Sequence, residues 1–228
     1  MNKTKYIGVD FSPNSPGFCI LTEDSCKLIS IFRTTNIIPK LLKKESSPFK
    51  VFTENKLVDI NIIEKQEFSG EYHEKERDKL LNSIYFSDLV LQLLEPYLDE
   101  NTLISMEGIS YGSQGNALVD ISMVTALVRA GIIKKINPDN FYVFSPSSVK
   151  KFAVKGNAKK DELYYAFIEK KKNDIRFKEL IDVFETNKDK WVKGPKKVEG
   201  PCSDLIDSIW LSLFLEENLE KLLSGKKI

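Results

Sequence analysis

The chain is poor in the residues that build soft-metal and thiol centres. It has one histidine, His73, and three cysteines, Cys19, Cys26 and Cys202, with no C-x-x-C spacing. A zinc site is therefore not expected, and three scattered thiols in apolar or turn contexts read as reduced cysteines in a cytosol. His73 lies in a charged stretch and is assigned no catalytic role. Long apolar runs are also missing. Without a run of about eighteen apolar residues no membrane span is expected, and the basic start MNKTKYIGVDF holds too short an apolar run for a signal peptide. The expected location is cytoplasmic, in a bacterial cell or a phage-infected host, an origin with which the Asn/Ile/Lys-heavy composition is compatible. Net charge is nearly absent: 34 basic against 33 acidic residues leave +1. Any affinity for nucleic acid must then come from local clustering rather than from a global field. There is no internal repeat and no low-complexity tract.

What is present is an ordinary globular composition, 42% hydrophobic and 29% charged over 228 residues. That is enough for one sizeable core and does not demand two domains. Residues 1–228 are read as a single domain with insertions at about 34–76 and 175–200. Tyr6 to Val9, Gly17 to Leu21 and Lys27 to Arg33 read as three short strands in an antiparallel meander. The polar stretch from Thr34 to Glu76 holds two weak strand candidates, KVFTE and LVDINII, and reads as an elaborated hairpin or a mobile insertion. A helix follows from about Glu74 to Leu98, with Leu80, Ile84, Leu91, Leu94 and Leu98 at helical spacing. Thr102 to Met106 is a buried strand, Ala117 to Ile136 a helix, Phe141 to Phe144 another strand, and Ser145-Pro146-Ser147 opens a further helix. Ser203 is the expected N-cap of a final helix through Leu223. The fold expected is mixed α/β: three antiparallel N-terminal strands plus parallel strands, flanked by helices.

Four carboxylates stand out. Asp10 ends the first strand and Glu107 ends the fourth, in the apolar setting LISMEGI. If these strands are parallel neighbours, both acids emerge at one sheet edge, where α/β folds place their sites. Asp204 and Asp207 are three apart at the start of the last helix and share a face, opposite the stripe Ile206, Ile209, Trp210 and Leu213. Each acid taken alone has an ordinary explanation: a turn residue at Asp10, a helix-dipole partner at Asp204. Converging without partners, four carboxylates would raise one another's pKa values. Two divalent cations would balance four negative charges, and hard oxygen ligands suit magnesium or manganese. A two-metal carboxylate site is suited to in-line displacement at a phosphodiester. Beside it, Lys150, Lys151, Lys155, Lys159 and Lys160 precede the first acid of their block, Asp161. Such a run is either a solvated face or a set of sequence-independent phosphate contacts.

IGVDFSPNSPGFCIL, ISMEGISYGSQGNA, FSPSSVKKFAVKGNAKKDE and SDLIDSIWLSL resemble, in order, the four blocks of the RuvC-type Holliday junction resolvases of the RNase H-like nuclease superfamily. The resemblance covers roughly the first thirty residues, Leu80 to about Lys170, and Pro201 to Leu215. It implies an RNase H-like sheet, with Asp10, Glu107, Asp204 and Asp207 binding two magnesium ions, for which manganese can substitute. It also implies a homodimer, formed through the helix at about 117–136, whose two sites nick symmetric strands of a four-way DNA junction. Lys150 and Lys160 match the family's basic positions near the cleaved strand, where either neutralises charge in the transition state. Tyr111, in the glycine-rich loop GISYGSQGN, takes the place of an aromatic that stacks on junction bases, although a buried core tyrosine is an equal reading. Trp191, in the basic stretch KDKWVKGPKK, either stacks on a base or packs over the core, the latter being the simpler reading; the stretch itself reads as an added DNA contact or a mobile lid. Three alternatives stay open: an RNase H-like nuclease with another target, such as an RNA–DNA hybrid; a DNA-binding module without turnover; and an actin-like or sugar-kinase ATPase. Against the last, no glycine-rich phosphate loop appears at two places, and Asp10 is followed by Phe-Ser-Pro.

Overall fold

The computed structural model describes residues 3–35, 47–109 and 115–226. Six strands form one sheet: β1 (Lys5–Asp10), β2 (Gly17–Leu21), β3 (Cys26–Thr34), β4 (Val58–Glu64), β5 (Thr102–Glu107) and β6 (Phe141–Phe144). Their order is β4-β3-β2-β1-β5-β6. β1, β2 and β3 pair antiparallel, while β5 joins β1 and β6 joins β5 in parallel. This is the mixed sheet expected from the sequence, with helices on both faces.

Strand alternation splits the interior in two, because successive side chains point to opposite faces. Ile7, Val9, Phe18, Ile20, Ile29, Ile31, Ile104 and Met106 bury one face against Phe86, Val90 and Val128 of helices α2 (Tyr72–Leu94) and α3 (Asn116–Ile133). Cys19, Leu21, Leu28 and Leu103 bury the other against α1 (Pro48–Asn55), α4 (Pro146–Ala153), α5 (Lys160–Lys171), α6 (Lys178–Thr186), α7 (Lys188–Trp191) and α8 (Cys202–Leu223).

α8 lies along β1 and β2. The expected stripe of Ile206, Ile209, Trp210 and Leu213 is buried, but so are Leu205, Ser208, Leu211, Ser212 and Leu215, so the helix is enclosed on almost every side. Two glycines make the approach possible. A Cβ on Gly8 would collide with the Ser208 carbonyl, and one on Gly17 would lie 2.5 Å from the Asp204 carbonyl oxygen. Polar anchors fix the rotation: Ser212 Oγ donates to the Cys19 carbonyl at 3.0 Å, and Ser105 Oγ to the Leu211 carbonyl at 3.1 Å.

Several sequence readings differ from the structure. KVFTE is helix, not strand: Ser47 and Pro48 open α1, Lys56 closes it in the left-handed region, and Phe49, Val51 and Phe52 face the core. LVDINII does form β4, but it pairs in parallel with β3 after the α1 crossover, so the segment is no hairpin. The buried side of α2 is Ser83, Phe86, Ser87, Val90 and Leu94, whereas Leu80 and Ile84 are 43% and 40% exposed. Ser203 does not cap α8, which starts at Cys202 after Pro201. The stretch 175–200 is also no mobile lid. Phe177, Leu180, Ile181, Phe184, Trp191 and Val198 are buried, Trp191 stacks on Phe52 at 5.4 Å, and its Nε1 donates to the Tyr164 hydroxyl at 3.2 Å. Of the two readings of Trp191, packing in the core holds and base stacking does not.

Candidate functional site

Parallel pairing of β1 and β5 sets Val9 against Met106, so Asp10 and Glu107, the next residues, leave the sheet at the same edge. Because the two glycines let α8 lie against β1, its first turns come to that edge and carry Asp204 and Asp207 with them. From the same side α5 starts at Lys160, whose ammonium forms an ion pair with Asp207 Oδ2. The fold thus gathers the four acids near one another, with Lys160 paired to Asp207 and Lys150 near enough to act on Glu107.

The electrostatics are those of crowded carboxylates. Burial pushes Asp10 well above the usual carboxylate range; Asp207 adds to the rise, Lys160 opposes it, and Asp204 and Glu107 add further. Burial, then Asp207, also raises Glu107, against the pull of Lys150 and Lys160. Asp204 is raised by burial, with its hydrogen bond from Ser15 and the charge of Lys160 opposing. Desolvation would lower the Lys160 ammonium, but the charges of Asp207 and Asp10 outweigh it and hold the group above its ordinary value.

Two hydroxyls orient Asp204: Ser15 Oγ donates to Oδ2 at 2.6 Å and Ser203 Oγ to Oδ1 at 2.9 Å. Ser15 is itself held in the turn after β1, where its N–H donates to Ser12 Oγ at 2.9 Å. The Arg33 N–H donates to the Asn14 carbonyl at 2.7 Å and ties that turn to β3. Arg129, near the end of α3, donates from Nη2 to the Glu107 carbonyl at 2.9 Å. Sequence reasoning missed Ser15, Ser203 and Arg129. The signal for Arg129 was a lone arginine in the apolar run TALVRAGII, a position where a charge needs a reason.

The remaining candidates are more scattered. Lys150 lies on α4 close enough to act on Glu107. Lys155 is tied to Glu162 at 2.5 Å and so is less free for phosphate than its position suggests. Lys151 and Lys159 are exposed. Tyr111 and most of its loop lie outside the described residues.

The donor set is oxygen only, which suits a hard divalent cation and no soft one. As the side chains stand, no group of three or more His, Cys, Asp or Glu among the described residues is placed to share one ion. The ammonium of Lys160 supplies the positive charge at Asp207 instead. The donors match magnesium in chemical type alone, and Asp207 is paired with Lys160. Among the described residues no helix is long and apolar enough to cross a membrane.

No family model matches the chain, and no curated protein matches it. Two solved structures align with nearly all of it. The Thermus thermophilus RuvC structure does so with a TM-score of 0.46 and 12% identity, over 95% of this chain and 96% of that one. T. thermophilus RuvC in complex with Holliday junction substrate gives a TM-score of 0.46 and 11% identity, over 95% of each chain.

Proposed function

We propose that the protein is a magnesium-dependent, structure-selective endodeoxyribonuclease of the RuvC type, cutting four-way junctions or other branched DNA by in-line phosphodiester hydrolysis. The observation that carries this reading is the convergence of Asp10, Glu107, Asp204 and Asp207 at one edge, with burial and mutual repulsion raising Asp10 first among them. A protein keeps such an arrangement at a cost to stability, and active sites are where that cost is found. The four sequence blocks that carry these acids support the substrate class.

In this mechanism Asp10, Glu107, Asp204 and Asp207 would hold the two ions, with Ser15 and Ser203 fixing the plane of the Asp204 carboxylate. Bound magnesium supplies Lewis-acid stabilisation of the phosphate oxygens. Lys160, released from Asp207, is within the cluster to offset negative charge that builds on the phosphate, with Lys150 doing the same beside Glu107. Water attacks in line and leaves a 5′-phosphate and a 3′-hydroxyl. The exposed lysines Lys151 and Lys159 hold the DNA backbone without reading sequence. Two copies, joined through the helix at about 117–136, act on opposite strands.

One observation favours a second reading, a DNA-binding module without turnover: the Lys160 ammonium is paired with Asp207, one of the four acids. Incubating the protein with synthetic four-way junctions, forks, flaps and RNA–DNA hybrids in magnesium separates the readings. Paired symmetric nicks confined to four-way junctions are expected. Equal cutting of every branched substrate contradicts junction selectivity, preferred cutting of the hybrid points to an RNase H activity, and binding without cutting supports the module.

A further inference from the structure

We propose that the cleft at the ends of β5 and β6, floored by Arg129, binds a phosphodiester of the DNA strand that runs into the carboxylate cluster; this rests on the nuclease reading above. The cleft holds about 860 Å³ and opens between Gly108 and Ile109 after β5, Ser122 and Arg129 of α3, and Ser145 and Ser147 at the start of α4.

Its charge sets it apart. The other four clefts described among these residues each hold at least one acid: Glu64, Asp24, Asp120 and Asp59 respectively. This one contains Arg129 and no carboxylate. The guanidinium is partly buried, its Nη2 bonds the Glu107 carbonyl, and its Nε is buried with no partner. Burial holds its pKa below the ordinary arginine value. A partly desolvated cation with no carboxylate beside it among the described residues is costly, and a guanidinium has five donors, in a fork that matches a phosphate. A phosphodiester in the cleft repays that cost. The hydroxyls of Ser145 and Ser147 line the same space, but Ser145 already accepts the Ser148 N–H at 3.1 Å, so the α4 terminus is capped and the assignment rests on Arg129. Val143, 47% exposed, offers an apolar wall for a sugar.

Because the same guanidinium holds the Glu107 carbonyl, a phosphate bound here lies close to the end of β5, the strand that carries Glu107. Arg129 is thus a positioning residue: it sets where the strand lies relative to Glu107 and does not act on the scissile bond.

The test measures binding of a labelled four-way junction by the full chain in EDTA across a salt series, for wild type, Arg129→Gln and Arg129→Lys, with melting temperatures alongside. Arg129→Gln is expected to weaken binding about tenfold and to reduce the salt slope by about one, while Arg129→Lys keeps the slope. Wild-type affinity and slope in Arg129→Gln overturn the proposal. So does an affinity loss with unchanged slope and a lower melting temperature, which marks a purely structural arginine. If inorganic phosphate stabilises wild type but not Arg129→Gln while DNA binding is equal, the cleft takes a free anion and the strand contact is wrong. Should Arg129→Gln fail to fold, a wild-type slope in Arg129→Lys with weakened binding still supports the contact, and full affinity opposes it. Failure of wild type to bind any DNA sinks the nuclease reading instead.

Discussion

Asp10 is the residue at which the account is most exposed. Its carboxyl is raised by burial and by Asp207, so the folded protein binds its proton more tightly than the unfolded chain does. Where a folded-state pKa lies above the unfolded value, the stabilisation is complete below the unfolded pKa and is lost as pH rises through the folded one. The ion-free protein should therefore lose stability as pH climbs out of the carboxylate range. Asp10→Asn removes this charge, and its melting temperature without metal should rise by about 2–4 °C for each kcal/mol of repulsion relieved. The gain should be larger at neutral pH than in acid, where the raised Asp10 carboxyl keeps its proton and carries less charge to relieve. Scanning calorimetry in EDTA measures it, and a lower melting temperature at neutral pH would mean that Lys160 holds the Asp10 charge favourably. The four acids were legible because Asp10 and Glu107 each end a patterned apolar strand, while Asp204 and Asp207 share one face at the start of an apolar-striped helix. Ser15 and Ser203 were not, since serines in a turn or a helix start are ordinary until the fold brings an aspartate to them.

At the scale of elements, the site depends on how closely α8 approaches β1. Gly8 is the point of nearest contact, and its neighbour there is backbone, which cannot swing aside. Gly8→Ala should cost about 1–3 kcal/mol or more by overpacking, measured as a fall in the midpoint of urea unfolding, and should slow cutting by displacing Asp204 and Asp207. An unchanged midpoint would show that α8 is free to shift. The strands were readable because alternation and flanking turns mark them locally. α1 was not: a five-residue alternation such as KVFTE fits either periodicity, and the Pro48 at its start was the deciding signal. Nor could the sequence show that β4 runs parallel to β3, because strand direction depends on a crossover and on the packing of Phe52 against Trp191, residues far apart in the chain. Leu80 and Ile84 lie at helical spacing on α2 and yet stay largely exposed for a related reason. Two apolar residues at helical spacing identify a helix, but the neighbouring sheet decides which side is covered.

For the whole molecule, a six-stranded sheet with a core on each face leaves one edge at which chemistry gathers: two strand ends, the start of α8 and the start of α5. The stretch 175–200, for which the sequence allowed an added DNA contact or a mobile lid, sends Phe177, Leu180, Ile181, Phe184, Trp191 and Val198 into the core, while 193–197 stay exposed. Its buried aromatic residues could not be told from DNA-stacking ones by sequence, since both occur among basic residues. The central claim is that the four acids act as one magnesium-dependent unit on a phosphodiester. Single-turnover nicking of a four-way junction by wild type, Asp10→Asn, Glu107→Gln, Asp204→Asn and Asp207→Asn, each checked for DNA binding in EDTA, tests it most directly. Groups that act as a unit are strongly non-additive, so each variant should lose nicking by about a thousandfold or more while still binding DNA. A variant that cuts at the wild-type rate, or wild-type cutting that persists without any divalent ion, would contradict the account.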